Sequence, residues 1–164
     1  VVVAVAVTTA LTGADAAACY EAGLAAIPAD SWTARNLRDA RDLVNSGLDD
    51  DALTLALHDR LAVVDYFWAD LAPEAVGLAM ASVLHARGRA ADSILFAVNM
   101  GRDADTTAAI AGCIGGAISG IGDLPDEWVA GLRPVAGSCI RSMAGIHPLD
   151  AADTLTRIVE EARA

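Results

Sequence analysis

Apolar residues recur at helical spacing along most of this chain, and glycine, proline and acid-rich turns separate the runs. "VVVAVAVTTALT" predicts a first helix over Val1–Thr12, broken by Gly13, and Asp15–Ala26 a second, ended by the proline of "IPADS". Ser31 is placed to cap a third helix that runs to Asn45, where "NSG" stops it. That helix pairs Arg35 with Asp39 and Arg38 with Asp42 at four-residue spacing, which predicts one charged face turned to water. "DDDALTLALHDRL" opens with acids, where a helix N-terminus favours negative charge. Pro73 suits the first turn of a helix reaching about Ala86, and "HARGRAADS" turns the chain into another that ends at "NMG". Helices are then expected over Asp105–Ser119, "LPDEWVAGL", "PVAGSCIRSMAG" and "HPLDAADTLTRIVEEARA", the last with Leu149, Leu155, Ile158 and Val159 inward. No stretch alternates apolar and polar residues over a strand's length, so the expected class is all-α.

Composition narrows the picture. The 164 residues suit a single all-α domain over 1–164, or the C-terminal part of one. Apolar residues make up 55% and aromatics only 4%, a balance that favours closely packed helices. The net charge is −11, and all eleven basic residues are arginine. Such a surface repels a phosphate backbone, which argues against a nucleic-acid partner and against an anionic membrane surface. The apolar start is shorter than the roughly 20 residues needed to cross a bilayer. Thr106–Gly122 is longer but consists mostly of glycine, alanine and hydroxyl residues, so no membrane segment is expected. Cys19, Cys113 and Cys139 are too scattered for a disulfide framework; buried thiols in a reducing, cytoplasmic setting are expected. The chain opens at Val1, without methionine, inside what reads as a core helix. The expectation is an upstream portion that has been removed, processed away or carried on a companion chain.

The chemistry concentrates in "NMGRDADTTAAIAGCIGGAISGIGDLPDEW". Inside a helix Asp103 and Asp105 would point about 200° apart. At a loop-to-helix junction they are free to share a ligand, and Gly101 supplies a permissive position just upstream. Two carboxylates with the Thr106 hydroxyl are hard oxygen donors suited to Mg²⁺, Mn²⁺ or Ca²⁺. The alternative is a plain N-cap, with Asp105 capping and Asp103 solvated. Gly112, Gly116 and Gly120 form one stripe, which predicts close approach by a neighbouring helix or a bulky ligand.

These residues resemble the C-terminal signature of the ADP-ribosylglycohydrolase family, roughly A-V-N-x-G-G-D-x-D-T-x-A-A-x-x-G with glycines continuing every fourth residue, then I/L-P and W. The likeness is strongest over 73–128 and extends weakly over most of the chain. It implies an all-α, orthogonally packed fold with a binuclear Mg²⁺ or Mn²⁺ centre. It also implies hydrolysis of the glycosidic bond from ADP-ribose to a protein side chain or a small-molecule conjugate. By the same resemblance Asp103, Asp105 and Thr106 match metal ligands, and Asn99, Gly101 and Arg102 match the loop beside the bound ribose. Two departures stand out. Arg102 replaces the signature's second glycine, where its guanidinium is able to pair with Asp103, meet a substrate phosphate or fill substrate space. The family's early G-D-x-x-G segment, its mobile acidic loop and its S/T-D-D cluster are absent, and "GLDDDALT" is better read as a helix start. The catalytic acid/base is then expected outside this sequence. Two functions follow: a hydrolase with part of its active site elsewhere, or a non-catalytic module that binds ADP-ribose or acts structurally. The three histidines show no zinc spacing; His85 is expected at a helix end and His147 at a cap.

Overall fold

The computed structural model describes residues 1–162, and these form nine α-helices and two single 3-10 turns with no strand among them. The helices are α1 (Val2–Ala10), α2 (Ala16–Ala25), α3 (Trp32–Val44), α4 (Asp50–Leu61), α5 (Ala72–His85), α6 (Ala90–Asn99), α7 (Ala104–Ser119), α8 (Asp126–Gly131) and α9 (Pro148–Glu161). The chain forms two compact units, Val1–Asp123 and the segment from Leu124 onward. The caps follow local chemistry. Asp15, Ser31 and Asp49 each accept a backbone N–H three residues on, which satisfies donors that a helix start leaves unpaired.

The first unit is organised around α5, which has nine of its fourteen residues buried. A helix apolar on nearly every side needs neighbours on every side. On one side it meets a core built from Val2, Ala6, Tyr20, Leu37, Met80 and Ile114. On another its Leu78 joins a cluster with Leu53, Leu57, Leu61 and Met100. Gly77 lets α4 approach, since a Cβ there would lie 2.7 Å from a Leu61 methyl. α6 and α7 pack against each other most extensively. Their close approach uses Gly112, whose Cβ would meet Ile94 at 3.2 Å, and Gly115, whose Cβ would lie 3.0 Å from the Ala90 Cα. Gly116 and Gly120, two members of the expected stripe, face open space.

Several expectations change. Arg35 and Arg38 do not pair with Asp39 and Asp42; they donate to the carbonyls of Asp30 and Ala29 in the preceding turn. Asp39 instead pairs with Arg60 at 2.8 Å, and Arg41 with Glu21 at 3.0 Å. Cys19 is buried, whereas Cys113 and Cys139 are exposed, so only one thiol sits in the core. In the second unit "PVAGSCIRSMAG" is not a helix. Gly137 and Gly145 take positive φ, and Val135 exchanges backbone hydrogen bonds with Gly145 and Ile146, leaving one 3-10 turn at Arg141–Met143. Helix α9 forms as expected and His147 caps it, its Nδ1 accepting from the Leu149 N–H at 3.3 Å. Of its four expected inward residues Leu149 is half-buried, whereas Leu155, Ile158 and Val159 are exposed. The last two residues of that expected helix, Arg163 and Ala164, lie outside the described residues. No described helix is long and apolar enough to cross a membrane.

Candidate functional site

The candidate residues lie where α6 ends and α7 begins. Asn99 is the last residue of α6 and Met100 its cap. Gly101 then takes φ +70°, the left-handed conformation that commonly terminates a helix, and its N–H donates to the Val98 carbonyl at 3.2 Å. No atom beyond its chain neighbours lies within 4 Å of where a Gly101 Cβ would be, so this position opens outward. Arg102 follows at φ +57°, which a residue with a Cβ adopts only at a cost of about 1 kcal/mol.

Asp103 is the N-cap of α7, with φ −80° and ψ 63°, and its side chain makes no capping hydrogen bond. Its backbone carbonyl accepts both the Thr107 N–H at 3.0 Å and the Thr107 hydroxyl at 2.9 Å. That pair of hydrogen bonds from a buried threonine fixes the helix start. Asp105 lies in the first turn of α7, so the plain N-cap alternative, with Asp105 capping, is not the arrangement adopted. Asp103 is half-buried, while Asp105 and Thr106 are exposed. Neither carboxylate is engaged in a hydrogen bond or ion pair among the described residues.

Arg102 has turned away from Asp103. Its Nε donates to Glu74 Oε1 at 2.6 Å, and its Nη2 donates to Glu74 Oε2 at 3.2 Å and to the Val63 carbonyl at 3.1 Å. Glu74 Oε2 also accepts the Val63 N–H at 2.7 Å. This is a bidentate guanidinium–carboxylate pair, with side chains 15% and 1% exposed respectively. The hydrogen bonds to Glu74 hold the guanidinium further into its charged range. The Val63 carbonyl accepts a second hydrogen bond, from the Tyr66 N–H at 3.0 Å, so the turn carrying exposed Tyr66, Phe67 and Trp68 starts from the same cluster.

Glu74 went unnoticed in the sequence, although it is the one charge inside "APEAVGLAMASV". A single acid in an otherwise apolar run demands a buried partner, and the arginine standing at a signature glycine is that partner. Asn99 also borders an open cavity of about 420 Å³ that runs along α6. His85 and Phe96 stack there at 4.5 Å, and His85 Nε2 meets Asp50 Oδ1 at 3.0 Å. Gly101, Arg102, Asp103, Asp105 and Thr106 do not line that cavity.

As a metal centre, the donor set fits a hard divalent cation in kind: two free carboxylates and a hydroxyl at a helix start. It falls short in number. Among the described residues no three His, Cys, Asp or Glu side chains are grouped to hold an ion. No curated protein and no solved structure matches the chain. The sequence model of the ADP-ribosylglycohydrolases, in contrast, matches residues 1–161, nearly the whole length. The chain belongs to the ADP-ribosylglycohydrolase family.

Proposed function

We propose that this chain forms part of a divalent-metal-dependent hydrolase that cleaves a glycosidic bond to ADP-ribose in a protein or small-molecule conjugate in the cytoplasm. In this reading Asp103, Asp105 and Thr106 hold one side of a Mg²⁺ or Mn²⁺ site, binuclear when complete. The observation that supports it most is the start of α7, where a non-helical Asp103 and an exposed Asp105 carry carboxylates with no partner among the described residues. The remaining ligands and the acid/base come from residues outside this sequence, on a longer chain or a companion.

A bound divalent ion supplies orientation of ribose hydroxyls and activation of a water. This chain's own residues do the rest of what can be assigned to it. The two carboxylates offer fixed negative charge to an oxocarbenium-like transition state. Asn99 offers an amide donor and acceptor to sugar hydroxyls. Gly101 leaves room for the ribose, and Arg102 borders that space through its backbone while Glu74 holds its guanidinium.

A second reading is a non-catalytic module that binds ADP-ribose or acts structurally. The lack of any three-ligand group among the described residues favours it. Thermal melts of the chain together with the upstream portion or companion that completes the site, with Mn²⁺ and with ADP-ribose, on wild type and Asp105→Ala, separate the two. The hydrolase reading expects Mn²⁺ to raise the wild-type melting temperature and to leave Asp105→Ala unmoved. Stabilisation by ADP-ribose alone, with no metal effect, favours the module. Loss of both responses sinks the hydrolase and the ADP-ribose-binding module alike and leaves only the structural role.

A further inference from the structure

We infer that Glu74 is a positioning residue for the Asp103–Asp105 pair, acting through Arg102; the inference rests on the reading of those aspartates as metal ligands. Glu74 lies twenty-eight residues before Arg102 in sequence, on α5, whereas Arg102 sits in the turn between α6 and α7. It touches neither aspartate. Its effect is on the backbone immediately before Asp103.

Arg102 holds a strained backbone. A left-handed conformation at a residue with a long side chain persists only where the surroundings enforce it. Here the enforcement is visible as three hydrogen bonds from one guanidinium, two to Glu74 and one to the Val63 carbonyl. Glu74 is almost wholly buried in the first turn of α5, the helix at the centre of the first unit. If the guanidinium swung out, a buried carboxylate would lose its charge partner, so the turn has one favourable arrangement. The planar fork fixes direction as well as distance, which a lysine's point charge would not.

The turn in turn sets Asp103. That residue takes a non-helical backbone directly after Arg102, and its carbonyl is held from the other side by Thr107. A metal-ligating carboxylate has to be placed to about half an ångström. The α5 scaffold supplies that reference through Glu74 and Arg102. Where the signature's second glycine would leave a mobile turn, this chain has a charged strut.

The test uses the full chain, with Mn²⁺ affinity read from the spin resonance of the free ion and amide hydrogen exchange followed across 101–107. The variants are Glu74→Gln, Arg102→Gln, the double substitution and Glu74→Asp. Glu74→Gln is expected to weaken Mn²⁺ binding about 10- to 100-fold, the usual size of an outer-shell effect, and to speed exchange at 102–105. Glu74→Gln also leaves an uncompensated positive charge near the ion, which the double variant removes. A double variant that stays weak supports positioning. One that regains wild-type affinity overturns it, because charge alone then explains the loss. Should Glu74→Gln fail to fold, Glu74→Asp carries the test: it keeps the charge, shortens the arm, and is expected to lose affinity and protection together. Wild-type affinity and exchange in the folded variants overturn the positioning role alone. A wild-type protein that binds no Mn²⁺ even together with the portion that completes the site overturns the metal reading and this inference with it.

Discussion

Tyr20 is fully buried, and its hydroxyl donates to the Leu37 carbonyl across the α2–α3 contact. Burial pushes its pKa well above the ordinary phenol value near 10, and the Arg41 charge acts the other way. The folded state therefore favours the neutral phenol. Its contribution to stability is complete below pH 10 and is lost as the pH rises above that toward the folded-state value. Urea midpoints at pH 8 and pH 11 are expected to fall for the wild type. Tyr20→Phe should cost about 1 kcal/mol at pH 8, for the lost hydrogen bond, and show a shallower alkaline decline. Equal declines in the two proteins would exclude the tyrosine as the source. The same logic of buried polar groups explains why Arg102 was legible only in part. The sequence marks it as a departure at a signature glycine and offers Asp103, a phosphate or substrate space as its destination. The carboxylate it chose belongs to a residue distant in sequence, and no local pattern encodes that pairing.

Among elements, the α6–α7 contact shows what spacing can and cannot specify. Glycines at Gly112, Gly116 and Gly120 announce that α7 accommodates something close, and α6 does pack there. Which glycine matters depends on where the neighbour's backbone passes, and that is a tertiary fact. A Cβ at Gly115 would meet the Ala90 Cα at 3.0 Å, whereas a Cβ at Gly116 would meet nothing within 4 Å. Alanine gains up to about 1 kcal/mol over glycine in a helix interior. Gly116→Ala is therefore expected to raise the melting temperature by a few degrees. At Gly115 the obstacle is backbone, which cannot rotate aside, and overpacking of this kind costs about 1–3 kcal/mol. Gly115→Ala should lower the melting temperature; thermal melts with the same sign at both positions would refute the packing account. The helices α1 to α7 were legible for a related reason, since caps and periodicity are local. The segment "PVAGSCIRSMAG" was not, because its glycines serve a loop closed by Val135 hydrogen bonds to residues ten and eleven further on. Periodicity gathered Leu155, Ile158 and Val159 on one face of α9 and predicted that face inward, but it carries no information on a covering partner, and all three are exposed.

For the whole molecule, the distribution of burial matters more than the total. Both core clusters are assembled from residues at or before Ile114, and no described residue after Asp123 is buried. The first unit thus contains every buried apolar residue among the described ones, together with every candidate site residue from Asn99 to Thr106. Hydrophobic burial is the dominant favourable contribution to folding, so cooperativity should follow the core rather than the chain length. A chain ending at Asp123 is expected to melt in one cooperative transition within a few degrees of the complete chain and to retain its Mn²⁺ response. Circular dichroism melts with and without Mn²⁺ provide the check. A broad, non-cooperative melt would mean that the segment from Leu124 supplies stabilisation that burial does not record. A cooperative melt with the metal response lost would assign that segment a part in shaping the start of α7. Retention of both would place the whole of this chain's contribution to an ADP-ribose site within α1 to α7, on a scaffold centred on α5 and referenced to Asp103 through the Glu74–Arg102 pair.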